Sequence, residues 1–327
     1  MLKIRRFIKD LPTWAYVTAI HTYFVTCLIA ITLELLSGVW RWHELAVFLI
    51  TLHLIGIGIT IYYHRYYTHR AFQFTALGKW TARPVLSVIG MASWLGPPKV
   101  WAAVHLRHHQ HTDGEKDPHG PIFTLAELGY VGLILFTPRL FDNDVTEHGQ
   151  RRDKNSDWYE RVVCGGLGYF LIGMAIPLAL STYFNVAIWY FAGVGIAFYG
   201  TQFVNSIGHS EELFKVFPSS ISHLLSKLFY KRHDGKHCGN TLNARPWVGW
   251  LGFSTAGELY HNNHHEFPNS AAIGLHWYEL DSGWWIIRAM EMTGLATNVN
   301  LPKLWTKRSD EKIRLTNQIA AIDGPPA

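Results

Sequence analysis

The chain has 327 residues, of which 49% are hydrophobic and only 16% charged, whereas roughly a quarter of the residues in a typical soluble domain are charged. Aromatic residues are abundant, with 14 Trp, 15 Tyr and 18 Phe, which suits anchoring at a membrane–water interface. The formal net charge of +5 comes without a stripe of Lys and Arg interleaved with aromatic residues, so no nucleic-acid-binding surface is predicted.

Four apolar runs are long enough to cross a bilayer as helices, which takes about 20 residues at ~1.5 Å each. They cover residues 15–39, 45–63, 162–181 and 186–207. Runs of this length are rare in the cores of soluble proteins, and the first is too long for the apolar part of a signal peptide. The sequence therefore predicts an all-α membrane protein with four transmembrane helices. We expect a single domain over residues 1–310, followed by a tail at 311–327.

The flanking charges predict the orientation of these helices. Four basic residues precede the first run, namely Lys3, Arg5, Arg6 and Lys9. By the positive-inside rule they place the N-terminus in the cytoplasm. The parts at 64–161 and 208–310 are then cytoplasmic and cap the membrane helices as a helical domain. Two shorter apolar pieces, 84–98 and 122–138, are expected at the membrane interface or embedded in the protein.

Histidine is the most unusual component of the sequence, with 19 residues. One H-x4-H pair and two H-x2-H-H triplets stand out, formed by His64 and His69; by His105, His108 and His109; and by His261, His264 and His265. On a helix, positions i, i+3 and i+4 share a face, so each triplet projects three imidazoles in one direction. Eight nitrogen donors are too many for one metal ion and suit two. Imidazole binds Zn, Cu, Fe and Ni, so the ligand type leaves the metal open.

The order of the runs brings further polar groups to the same side. The second run leads from outside to inside and ends at His64, and the fourth does the same and ends near Asn205 and His209. All clusters therefore converge at the cytoplasmic membrane surface, where a dry cavity can meet a lipid-like substrate. The isolated histidines are expected to be ordinary structural residues, namely His21, His43, His53 and His276. For the group His233, His237 and Cys238, a solvated loop is favoured over a zinc site.

Together these motifs resemble those of the membrane fatty-acid desaturase family, in particular its stearoyl-CoA and acyl-lipid Δ9 branch, with a tail more like that of bacterial members. The matching stretches are HRYYTHR at 64–70, HLRHHQHTD at 105–113 followed by Asp117-Pro118-His119, and GELYHNNHHEFP at 257–268. The segment from Asn205 to His209 resembles the N-x3-H element from which that branch takes an additional ligand. The resemblance covers residues 15–300.

The resemblance implies two irons, O2 as co-substrate, and insertion of a cis double bond at the Δ9 position of a saturated acyl chain. The implied ligands are His64, His69, His105, His108, His109, His209, His261, His264 and His265. Asn205 would hold a metal-bound water, and no catalytic residue is implied beyond the metal ligands. Asp113, Asp117 and His119 are candidates for hydrogen bonds with the N–H groups of ligand imidazoles, with a plain polar turn as the alternative.

The sequence lacks the Pro-Gly-Gly haem loop of a fused cytochrome b5, so electrons are expected from a separate donor of ferredoxin, rubredoxin or cytochrome b5 type with its reductase. The substrate is an acyl-CoA or an acyl-lipid, and the choice stays open. A related di-iron hydroxylase or fatty-acid decarboxylase is an alternative on the same scaffold. A His-rich metal transporter is the non-enzyme alternative, but it would place its ligands in the middle of the membrane.

Overall fold

The computed structural model describes residues 2–114, 117, 156–209, 219–230, 240–251 and 255–305, with side chains from residue 19 onwards. Its α-helices are α1 Leu2–Ser37, α2 Trp42–Ile57, α3 Ala76–Trp80, α4 Ala82–Met91, α5 Pro98–His111, α6 Trp158–Val162, α7 Gly166–Gly168, α8 Ile176–Tyr183, α9 Ala187–Gly208, α10 Ser219–Leu228, α11 Pro246–Leu251, α12 His261–Glu266 and α13 Ser282–Met292. Two π-helical segments, Gly58–Thr68 and Tyr169–Ala175, continue α2 and join α7 to α8. Several sequence predictions lie outside the described residues, namely those for His119, 122–138, His233, His237, Cys238 and 311–327.

Within the described residues, four helical stretches are long and apolar enough to span a membrane, as predicted. They are Ala19–Ser37, Trp42–Thr68, Gly166–Tyr183 and Ala187–Asn205. The third begins at Gly166 rather than at 162, because α6 ends before a glycine-containing break. The connections after the first and third spans, which the predicted orientation places on the outer side, are very short, and each turns through a residue with positive φ: Gly38 at 71° and Asn185 at 56°. Glycine and asparagine tolerate this left-handed conformation better than other residues.

The helices α1, α2 and α9 pack into one apolar bundle. Phe24 of α1 is fully buried and contacts the aromatic rings of Trp94 and Phe198. Trp94 also packs edge-to-face against Phe191 of α9, with ring centroids 5.1 Å apart. The chain between α4 and α5, which carries Trp94, is therefore inserted among the membrane helices. Of the two settings expected for 84–98, embedding in the protein is the one found.

Small residues allow α4 to approach the spans closely. A Cβ atom on Gly58 would lie 2.4 Å from the backbone nitrogen of Gly90, and one on Gly173 would lie 2.7 Å from Cβ of Met91. Both distances are shorter than any real side-chain contact, so backbone packs directly on backbone at these points. The contact fixes α4, and hence the start of α5 and its histidines, against the second and third spans.

The second span changes from α- to π-helical geometry at Gly58, and it stays π-helical to Thr68. The backbone N–H of His69 donates to the carbonyl of His64 at 3.0 Å, five residues earlier. In an α-helix with 3.6 residues per turn, two residues five apart point in directions about 140° apart. A π-turn, with its hydrogen bond between residues five apart, has more residues per turn and brings the two directions much closer together. The unusual helix thus brings both histidines of the H-x4-H pair to one face.

Two small antiparallel sheets complete the part that lies beyond the spans. The first pairs β1 Gln73–Phe74 with β4 Ala296–Thr297, and the second pairs β2 Phe229–Tyr230 with β3 Asn243–Ala244. The second sheet also contacts the start of α12 through a bridge between Asn243 and Tyr260. These short pairings fasten the C-terminal segments against the ends of the membrane helices, where the histidine clusters lie.

Candidate metal centre

Nine histidine side chains from four segments converge into one buried region. They form two groups, one of His64, His69, His105, His109 and His264, and the other of His108, His209, His261 and His265. Within each group the nitrogen atoms that could bind a metal all lie within 4.8 Å of one another. All nine were predicted from the sequence as metal ligands, and the structure brings all nine together. The division into groups of five and four was not predicted.

The closest contacts inside the groups are between Nε2 atoms. In the first group, Nε2 of His264 lies 3.0 Å from Nε2 of His64 and 2.8 Å from that of His109. In the second group, Nε2 of His261 lies 2.7 Å from that of His209 and 3.1 Å from that of His265. Two ligands at 90° around an ion, each about 2.1 Å from it, would be about 3 Å apart. The imidazoles therefore fit around a metal in each group.

Carboxylates determine which ring nitrogen faces the centre of each group. Glu258 accepts a hydrogen bond from Nδ1 of His64 at 2.8 Å, and Asp113 accepts one from Nδ1 of His209 at 3.0 Å. With the proton held on Nδ1, the Nε2 atom presents its lone pair to the other imidazoles. The hydrogen bonds thus leave the Nε2 atoms of His64 and His209 available as metal ligands.

Burial keeps four of the imidazoles neutral. Removal from water lowers the pKa of four of them well below the ordinary value of about 6.5, and the neighbouring imidazoles lower it further; these are His105, His109, His264 and His265. An imidazole must be deprotonated to bind a metal. The same burial would make a protonated cluster unfavourable, so the site is chemically suited to metal ions.

The short helix α12 carries three of the nine histidines and is held from its opposite face. Between His261 and His264 stand Asn262 and Asn263, both fully buried. Asn262 accepts a hydrogen bond from the hydroxyl of Thr241 at 2.7 Å, and Asn263 donates to the carboxylate of Glu279 at 3.1 Å. These bonds orient a helix of only six residues, which would be unstable alone in water.

Asn205 and the two predicted aspartates lie beside the second group. Asn205 is 8% exposed and precedes His209 by about one turn of α9. Asp117 accepts from Nδ1 of His108 at 2.8 Å, and Asp113 accepts from His209, as described. The two aspartates therefore bond to imidazoles as the sequence predicts rather than forming a plain polar turn. Glu258 was missed, although it lies inside the GELYHNNHHEFP stretch.

A cavity of ≈ 150 Å³ leads from the histidines into the membrane bundle. At one end it is lined by His64, His105 and His261 together with the ring of Trp101. Its other end lies between α2 and α9 and is lined by apolar and small residues: Leu52, Gly56, Ile59, Ile196, Ala197, Gly200 and Val204. An apolar cavity that ends at polar groups able to bind metal suits a ligand with a long hydrophobic chain.

The four spans and the buried imidazole groups define an integral membrane protein with a histidine-rich candidate metal site. The sequence profile of fatty acid desaturases matches residues 39–299. The chain is 30% identical over 280 residues to Delta-9 acyl-lipid desaturase 1 of Arabidopsis thaliana, covering 84% of this chain and 81% of that protein. It is 32% identical over 276 residues to Delta-9 desaturase-like 2 protein of the same plant, covering 82% and 81%.

A bacterial relative is similar over most of its length. The chain is 29% identical over 302 residues to the hex-5-enoyl-(acyl-carrier protein) acetylenase of Moorena producens (strain JHB), covering 89% of this chain and 84% of that protein. The chain belongs to the fatty acid desaturase family. It is therefore an oxidoreductase that acts on fatty acids, as the sequence motifs predicted.

Proposed function

We propose that this protein is an O2-dependent acyl desaturase that inserts a cis double bond at the Δ9 position of a saturated chain, using two irons and electrons from outside. The observation that carries the proposal is the position of two imidazole groups at the end of an apolar cavity. The Δ9 position is inferred from relatives whose names specify it. The transporter alternative loses support, because these imidazoles lie at or beyond the ends of the spans.

In this proposal the two groups each hold one iron. The five-histidine group, centred on His264, would bind one ion, and the four-histidine group, centred on His261, would bind the other. Asn205 would complete the second ion's surroundings by holding a water molecule. The nine imidazoles are more ligands than one ion accepts, and this is the chemical argument for two metals.

The protein residues position the substrate and exclude water. The acyl chain would lie between α2 and α9, where Gly56 and Gly200 widen the cavity, with its reacting carbons near His64 and His261. Bound iron would use O2 and external electrons to supply an oxidant strong enough for unactivated C–H bonds. Glu258, Asp113 and Asp117 would keep the imidazoles in place during the reaction by holding their Nδ1 protons.

We further propose that the termini and the metal site are cytoplasmic, that residues 1–310 act as one domain, and that a separate ferredoxin, rubredoxin or cytochrome b5 with its reductase supplies electrons. The orientation rests on the N-terminal basic residues and the short outer connections. Reporter fusions at positions 110 and 320 should both report a cytoplasmic location. An external signal at either position would require another arrangement of spans.

The deciding experiment is fatty-acid analysis of a host that expresses the chain, combined with metal analysis of the purified protein. New monounsaturated acyl chains, two irons per protein, and loss of product without O2 are expected. The position of the double bond tests the Δ9 assignment. A matched His261→Ala variant should be inserted in the membrane and give no new product. Hydroxylated fatty acids or terminal alkenes instead would indicate one of the related reactions.

A further inference from the structure

A continuous series of aromatic rings leads away from the histidine groups, starting at Trp101 in the wall of the cavity. Trp101 stacks on the imidazole of His105, with centroids 4.8 Å apart and ring planes inclined by 14°. Tyr63 follows at 6.0 Å from Trp101, Tyr62 at 6.3 Å from Tyr63, and Tyr66 at 5.4 Å from Tyr62. We call these four residues, Trp101, Tyr63, Tyr62 and Tyr66, the aromatic path. Its three tyrosines are all buried.

The last two tyrosines of the aromatic path are paired with groups other than the metal ligands. The hydroxyl of Tyr66 donates to Oε1 of Glu160 at 2.7 Å, and Glu160 is only 5% exposed. The hydroxyl of Tyr62 lies 3.2 Å from Sγ of Cys164. Burying a carboxylate and a phenol costs desolvation free energy. If packing were their only role, phenylalanine and an apolar residue could fill the same space without that cost.

The aromatic path reaches the surface at Arg70. The guanidinium group of Arg70 stands 5.4 Å from the centre of the Tyr66 ring and 3.6 Å from Glu160. Its side chain is 30% exposed, whereas Tyr66 is 6% exposed. The series of rings thus connects an imidazole of the candidate metal site with a solvent-accessible cation. Every step is a contact between two rings except the last, which is between the Tyr66 ring and Arg70.

The chemistry of the rings determines what such a path can carry. Phenol and indole give up an electron only to a strong oxidant. They are therefore unsuited to relaying electrons from a carrier protein to an acceptor that oxidises only weakly. A metal centre able to attack unactivated C–H bonds is strong enough to oxidise them. Without a bound acyl chain, that oxidant has no substrate and would damage its own ligands.

We propose that the aromatic path protects the metal site by reducing the O2-oxidised centre when no acyl chain is bound. This inference rests on the proposed function. One electron leaves the path at Trp101 towards the metal site and is replaced, ring by ring, from Tyr66. The phenolic proton of Tyr66 moves to Glu160, so that a neutral tyrosyl radical and a protonated carboxyl group result. A one-electron donor, such as the external carrier or a soluble thiol, then returns the electron, and the proton moves back to Tyr66.

The test uses the iron-loaded, reduced, full-length protein in detergent, exposed to O2 without substrate and frozen at intervals for electron paramagnetic resonance. The wild-type protein should give a tyrosyl radical signal. Tyr66→Phe should lose this signal by at least tenfold, and so should Glu160→Gln, which keeps a hydrogen-bond acceptor but no longer accepts the proton readily. Peptide mass spectrometry should find several-fold more oxidised Trp101 in both variants after the same exposure.

The matched control is Tyr199→Phe, because the Tyr199 hydroxyl bonds to His21 in another part of the bundle. It should leave the radical signal unchanged.

With substrate present, Tyr66→Phe should desaturate at the wild-type initial rate but lose activity after several-fold fewer turnovers. The protective path would be overturned if the wild type desaturates but forms no radical, and if wild type and Tyr66→Phe stay active for equally long. That result would leave the proposed function intact. Iron-loaded wild type that forms no unsaturated product would overturn the proposed function and the path with it.

Discussion

The carboxylate of Asp117 accepts a hydrogen bond from Nδ1 of His108 at 2.8 Å, and neither side chain has any contact with solvent. The same carboxylate accepts the backbone N–H of Asp113 at 2.8 Å. Asp113 in turn accepts from Nδ1 of His209 at 3.0 Å and from the backbone N–H of Asn240 at 2.8 Å. Two imidazoles of the four-histidine group are therefore oriented by one connected hydrogen-bond network.

Replacing Asp117 by asparagine should weaken metal binding in the four-histidine group by about 10–100-fold, the usual effect of losing a hydrogen-bond partner of a ligand imidazole. The amide can still accept from His108, but it carries no negative charge to support a metal-bound ring. Metal titration of the purified protein with ICP analysis should show one weakened site and one unchanged site.

The control for this change is Asp157→Asn, at a carboxylate that is 42% exposed and pairs with Arg83 away from the imidazoles. It should leave both metal affinities unchanged. Equal metal binding by wild type and Asp117→Asn would contradict the role assigned to the network.

His209 and Asn205 should differ in how strongly each holds metal. His209→Ala removes an imidazole whose Nε2 lies 2.7 Å from that of His261, so metal content should fall and desaturation should be abolished, with membrane insertion intact. Asn205→Ala should retain more metal, since a contact through water is a weaker attachment. His53→Ala is the control, because its Nδ1 bonds to the carbonyl of Leu49 within its own helix. Wild-type metal content and activity in His209→Ala would reduce this residue to a structural role.

Local signals, namely hydropathy and histidine spacing, were sufficient to predict the spans and eight of the converging histidines, whereas His209 was predicted as a ligand from the family resemblance. They were not sufficient to predict how the H-x4-H pair aligns. That alignment depends on the π-helical turn at His64 and His69, and the turn is stabilised by packing such as the contact of Gly58 with Gly90. No local pattern of residues specifies it.

Partners that are distant in sequence were also beyond prediction. Glu258 bonds to His64 across 194 positions, and Arg65 bonds to Asp281 across 216. Both lie next to or within recognisable motifs, but nothing in their spacing shows which residue they meet. The sequence does signal that such partners exist, because a charged residue beside a ligand histidine is buried with it and a buried charge requires a partner.

Breaking the pair of Arg65 and Asp281 should destabilise the fold strongly. The guanidinium group donates to both oxygens of Asp281, at 2.8 and 3.2 Å, and to the carbonyls of Ala256 and Ala271, each at 2.6 Å. Arg65 and Asp281 are 1% and 3% exposed at their side chains. Asp281→Ala removes the bidentate partner of a buried guanidinium and leaves it only the more distant Glu258, at 3.8 Å from its Nε, which costs about 3–5 kcal/mol.

The comparison for this change is the exposed pair of Arg288 and Glu291, whose side chains are 54% and 31% exposed. Glu291→Ala should cost about 0–1 kcal/mol, because surface ion pairs contribute little. Thermal unfolding of the two variants in the same detergent measures the difference. Similar midpoints for Asp281→Ala and Glu291→Ala would show that the buried pair is dispensable.

Replacing Gly208 by alanine should weaken one metal site selectively. A Cβ atom at position 208 would lie 2.7 Å from Cδ2 and 2.8 Å from Cγ of the His261 imidazole. The ring would have to move by several tenths of an ångström, at a cost of about 1–3 kcal/mol. Because His261 is at the centre of the four-histidine group, metal content should fall from two ions per chain towards one. The three atoms nearest to this Cβ all belong to His261, so the five-histidine group should keep its ion. Gly200→Ala is the matched control, since it lies on the same helix and its Cβ would meet nothing within 4 Å. That variant should retain both metals and gain slightly in helix stability, by about 0.5–1 kcal/mol. Full metal loading in Gly208→Ala, or equal losses in both variants, would show that the close contact with His261 does not control metal binding.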